Sequence, residues 1–153
     1  MQWVTRERPK VDRIACPWLI RRFIDPDAEI IYVPAADVLA TAQRDGGYSF
    51  DAPGATYSHR RQPDGSQWCT FETLIDAHHL GGDPALVELA RIVHAADIAT
   101  DTDSHPFGAA VRAIGAAGAA VEADDQQLLT RALFVYDALY AYCRDQVSRE
   151  PTS

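Results

Sequence analysis

Hydrophobic positions recur at helical spacing over most of this chain and at strand spacing only in a short early part. Val11, Ile14, Trp18, Leu19 and Phe23 share one face of a helix over Val11–Ile24, in which Pro17 is expected to make a kink or to sit in the first turn of a second short helical piece. Glu29–Val33, a β-branched and aromatic run closed by Pro34, predicts a strand. Ala35–Gln43 predicts a short helix ended by Asp45-Gly46-Gly47. Tyr48–Asp51 and Thr56–Arg60 predict two strands around Pro53-Gly54, with a loop over residues 62–66.

From Thr70 onward the periodicity is helical throughout. A first helix, Thr70–Leu80, stops at Gly81-Gly82. Asp83-Pro84 starts a second, with Asp as N-cap and Pro in the first turn, running to about Ala99. His105–Ala120 is rich in alanine and glycine, a composition suited to close packing within the chain or across a homo-oligomer. Asp124–Val147 carries Leu128, Ala132, Leu139 and Cys143 along one stripe, which predicts the central packing helix. The expected fold is α+β and mostly helical, a small N-terminal sheet followed by a helical bundle, as one domain over residues 1–153.

Composition narrows the class. A chain of 153 residues, 47% hydrophobic and 24% charged, forms a core without staples. No apolar stretch approaches the ~20 residues that span a bilayer, so no membrane insertion is expected. Three cysteines without CxxC spacing, and a charged N-terminus with no apolar segment behind it, point to free thiols in the cytoplasm. The net charge of −8 argues against direct nucleic-acid binding. It is unevenly spread: residues 1–61 carry 9 basic against 8 acidic side chains, and residues 62–153 carry 5 against 14.

The acidic half holds the most informative helix. At helical spacing Leu86, Ala90, Val93 and Asp97 share one stripe, so Asp97 lies among apolar positions, where a carboxylate needs a partner or a metal. His94 and Asp97 are i, i+3 neighbours able to ligate a common ion. The alternative is a His–Asp hydrogen bond, or an Asp paired with an arginine such as Arg13. His59, on a strand-like segment, and Glu72, in a first helical turn, would complete a set of two histidines and two carboxylates suited to a divalent metal such as zinc, iron or manganese. Glu72 equally fits a capping arrangement with Cys69. The run Asp101–His105 reads mainly as a solvated loop, and Cys16 as a buried, inert thiol rather than one activated at a helix start.

In the basic half, Arg6, Arg13, Arg21 and Arg22 are candidates to grip a small oxyanion, or to pair with acidic groups of this chain or a partner.

The segment Val11–Asp25 (VDRIACPWLIRRFID), with Tyr32-Val33-Pro34, Cys69–Glu72 and Ile92–Asp97 in the same order, resembles the C-terminal domain of ChrB-type chromate-resistance proteins over nearly the whole chain. The resemblance implies a role in chromate resistance, usually beside a chromate efflux transporter, which makes chromate or a similar anion the candidate oxyanion. Three functions are open at this point: a metal- and oxyanion-binding domain, a metal-dependent hydrolytic or redox enzyme using the same site, and a non-catalytic interaction module.

Overall fold

The computed structural model describes residues 1–149. It opens on β1 (Gln2–Arg6), followed by α1 (Asp12–Leu19), a π-helical turn (Ile20–Ile24) and β2 (Glu29–Val33). A 3-10 turn (Ala35–Asp37) leads into α2 (Val38–Asp45), which ends at Gly46 in the left-handed region, φ 66°. Next come β3 (Tyr48–Ser49), β4 (Arg60–Arg61) and β5 (Gln67–Trp68). The helices α3 (Thr70–Ala77), α4 (Pro84–Asp97), α5 (Gly108–Val121) and α6 (Asp125–Arg149) follow, with a 3-10 stretch (Ala99–Ser104) between α4 and α5. The expected class, α+β and mostly helical with a small N-terminal sheet, is the one observed.

The sheet is parallel, in the order β2-β1-β3, so its centre is the N-terminal strand that hydrophobic patterning did not reveal. Trp3, Val4 and Thr5 of β1 are all buried because both faces are covered, which erases the alternation that marks a half-exposed strand. The strand expected over Thr56–Arg60 is instead an irregular segment touching Phe50 through one bridge at Tyr57. Only Arg60–Arg61 pairs, antiparallel, with Gln67–Trp68.

Pro17 lies inside α1, which runs on to Leu19 and passes directly into the π-helical turn. Having no N–H, it leaves the carbonyl of Arg13 without its helical partner, and the Tyr32 hydroxyl of β2 donates to that carbonyl at 2.6 Å. One substituted hydrogen bond thus carries the helix through proline and ties it to the sheet.

The central helix is α4, not the last one. Eight of its fourteen residues are buried, including Leu86, Leu89, Ile92 and Val93 at zero exposure. Each such side chain contributes roughly 1.5–3 kcal/mol through burial. By contrast, α6 buries only Leu128, Leu129, Tyr136 and Cys143 along 25 residues, and Phe134 is 76% exposed. Asp83 caps α4 as expected, accepting from the N–H groups of Ala85 and Leu86. α5 abuts α4 at Gly108, where a Cβ would lie 2.8 Å from that of Ala95.

Candidate metal centre

Two acid–histidine clusters flank the start of α3, and α4 supplies a residue to each. The first centres on His59. Its Nε2 lies 3.0 Å from Asp97 Oδ2, 3.3 Å from Asp12 Oδ2 and 3.4 Å from Asp51 Oδ1. Asp12 stands in the first turn of α1 and is almost fully buried; its Oδ2 also accepts the Thr70 N–H at 2.8 Å. Asp51 follows β3 with φ 52°, a left-handed backbone that aspartate tolerates better than most residues. Its Oδ1 accepts from the Thr70 hydroxyl at 2.9 Å, and its Oδ2 faces Arg6 and Arg13 at 3.4 Å each.

The electrostatics follow from this crowding. Asp12, then Asp51 and Asp97, hold the His59 imidazole protonated, pushing its pKa up to about 12. Burial, with the charge of Asp97 adding to it, raises the Asp12 carboxyl to about 7. Burial also works to raise Asp51, but the bonds from His59 and Thr70 outweigh it and leave that carboxyl below its ordinary value.

The second cluster centres on His94. Its Nδ1 meets Glu72 Oε1 at 2.5 Å and its Nε2 meets Asp101 Oδ2 at 2.7 Å. Burial opposes the charge on His94, but the two carboxylates prevail and raise its pKa. Glu72 Oε1 also accepts the Cys69 N–H at 3.1 Å, completing the capping box foreseen at the start of α3. Cys69 Sγ, Glu72 and His94 lie within 4.8 Å of one another, as do Asp12, His59 and Asp97. The backbone joins the clusters, because the N–H of Cys69 bonds Glu72 and that of Thr70 bonds Asp12.

The four residues singled out as metal ligands therefore stand as two pairs, His59 with Asp97 and Glu72 with His94. Asp12, Asp51 and Asp101 join them without having been singled out. Asp101 had a faint signal, the acid-rich run before His105, and the 3-10 stretch curls it back onto His94. His105 is buried rather than solvated and bonds Glu88 at 2.9 Å. Cys16 is also buried, beside Asp12, and burial pushes its thiol well above the ordinary range.

The four arginines do not converge. Arg6 and Arg13 share Asp51, Arg21 donates to the Ala28 carbonyl, and Arg22 forks onto Asp137 of α6. Arg6 lines an open cleft of about 280 Å³ with Asp51, Ala52, Pro53, Ser58 and His59. No helix among the described residues is long and apolar enough to cross a membrane.

Comparison with known proteins places the chain in a family. The model described as "ChrB, C-terminal domain" matches residues 3–143. Protein ChrB of Cupriavidus metallidurans is 33% identical over 141 residues, which cover 92% of this chain and 40% of that protein. No solved structure matches. With a family match spanning both clusters and a relative aligned over 92% of this chain, this chain belongs to the ChrB C-terminal domain family.

Proposed function

We propose that the chain is a chromate-resistance domain that holds a divalent metal at Asp12, His59 and Asp97, with a small oxyanion such as chromate bound beside it. The observation that carries the reading is the approach of three carboxylates to one imidazole nitrogen, at 3.0, 3.3 and 3.4 Å. Ligands about 2.1 Å from a tetrahedral metal are separated by about 3.4 Å, close to the distances of His59 from Asp97 and Asp12, and the three donor atoms lie within 4.8 Å of one another. Nitrogen and oxygen donors suit zinc, iron or manganese.

Charge favours an anion as the second ligand. With His59 protonated, the charges of Asp12, Asp51, Asp97, Arg6, Arg13 and His59 formally cancel. Replacing the His59 proton by a dication leaves the cluster with one net positive charge. Arg6, 38% exposed and paired with Asp51, lines the same cleft as His59 and adds a guanidinium there.

Elemental analysis of the purified full chain tests the reading. The Asp12–His59–Asp97 centre should hold about one metal, lost in Asp97→Ala. Arg6→Ala should keep the metal and bind chromate more weakly. Protein that takes up no metal, and unfolds identically with and without chelator, contradicts the proposal.

A second reading, a metal-dependent hydrolytic or redox enzyme, draws support from the cleft opening directly onto His59, since catalytic metal sites keep a position open for water or substrate. Turnover of ester or peroxide substrates by the metal-loaded chain, abolished in His59→Ala, distinguishes it from a binding domain.

A further inference from the structure

We infer that Cys69, Glu72 and His94 form a second metal site, softer than the first and independent of it, with Asp101 as the group that orients its histidine. Each residue brings a donor of a different kind, thiolate sulfur, carboxylate oxygen and imidazole nitrogen, and the three donor atoms lie within 4.8 Å of one another. A mixed sulfur, nitrogen and oxygen set suits zinc, cobalt(II) or cadmium better than the oxygen-preferring manganese or magnesium.

The arrangement of His94 is what a ligating histidine requires. Its ring nitrogens face separate carboxylates, Nδ1 toward Glu72 and Nε2 toward Asp101 at 2.7 Å. When Nε2–H donates to Asp101, the lone pair of Nδ1 is free to point at the space shared with Glu72 and Cys69. This is the carboxylate–histidine–metal relation that fixes tautomer and ring orientation in zinc sites. In the metal-free chain a proton between Nδ1 and Glu72 Oε1 occupies that space and holds the pair at 2.5 Å. A metal displacing it would open the pair to about 3.4 Å, a side-chain adjustment of about 1 Å.

As N-cap of α3, the Cys69 sulfur accepts the N–H of Glu72, which aims it at the space shared with Glu72 and His94. Burial, then the charges of Asp12 and Glu72, raise its thiol well above the ordinary range, so the metal itself must displace the proton. Metal binding would expel the thiol proton into solvent as the Cys69 sulfur–metal bond forms. The ion has an approach beside Glu72, through an open cleft of about 330 Å³ that Trp68, Glu72 and Arg91 help to line.

The two sites differ in donor hardness, so their failures separate. Cobalt(II) added to the reduced, metal-stripped full chain should produce a near-ultraviolet thiolate-to-cobalt absorption band that saturates at about one equivalent. Cys69→Ser should abolish the band while keeping manganese binding at the His59 centre, and Asp97→Ala should keep the band. Zinc X-ray absorption on the wild-type chain should show a sulfur at about 2.3 Å, which covers the case of a variant that does not fold. A wild-type chain with no thiolate band and no zinc–sulfur scattering overturns the inference, as does a band that survives in folded Cys69→Ser.

Discussion

His59 Nε2 and Asp97 Oδ2 meet at 3.0 Å, joining an irregular segment after the sheet to the last residue of the central helix. The contact closes a cluster in which Asp12 and Asp51 approach the same nitrogen. Asp97→Asn keeps the shape but removes one charge. With one fewer carboxylate, His59 should titrate at lower pH, visible as a shifted imidazole resonance, and divalent metal affinity should fall more than tenfold.

The pH dependence of the metal-free chain has a definite sign. His59 has a folded pKa near 12 against an ordinary 6.5, so its contribution to stability is complete below pH 6.5 and is lost as pH rises toward 12. Asp12, raised to about 7 by burial, acts in the same direction between its ordinary 3.8 and 7. Asp51 acts oppositely, losing its contribution only as pH falls below the ordinary carboxylate range. Urea unfolding of the chelated protein should therefore show stability declining from pH 7 to pH 10. Saturating metal should reverse the slope, because the ion displaces the His59 proton and binds more tightly as pH rises. A flat profile without metal would show that His59 is not held protonated by its carboxylates.

Tyr32→Phe isolates the device that carries α1 through Pro17. The variant keeps the ring and leaves the Arg13 carbonyl without a donor, which should cost about 1–3 kcal/mol in denaturant unfolding. An unchanged midpoint would mean that water satisfies the carbonyl equally well.

The assignment of α4 as the central helix predicts a contrast between two truncations. Leu89→Ala removes a fully buried side chain and should cost about 2–5 kcal/mol, whereas Phe134→Ala on α6 should stay within about 0.5 kcal/mol of wild type. Similar losses at both positions would indicate that the α6 face is covered in solution, for instance in a homo-oligomer.

These contrasts follow what is legible in the chain and what is not. Asp83-Pro84 and the Leu86–Asp97 stripe are local signals, and α4 follows them closely. Glu72 and Cys69 are three residues apart, so their reciprocal capping is equally local. Asp12 and Asp51 carry no such mark. Their role arises when α1, the end of β3 and α3 converge, with the Thr70 N–H bonding one carboxylate and its hydroxyl the other. β1 escapes periodicity because a central parallel strand buries both faces. The arginines cluster in sequence but diverge in space, since Arg21 and Arg22 lie in the π-helical turn beyond α1 while Arg6 ends β1.

The central claim is that Asp12, His59 and Asp97 hold a divalent ion. Manganese(II) tests it most directly, since its preference for oxygen and nitrogen donors disfavours the thiolate-bearing cluster. Calorimetric titration of the reduced, metal-stripped chain should show about one manganese site in wild type, weakened more than tenfold in Asp97→Ala and unaffected in Cys69→Ser. No manganese binding by the wild-type chain, or equal binding by wild type and Asp97→Ala, would contradict the account.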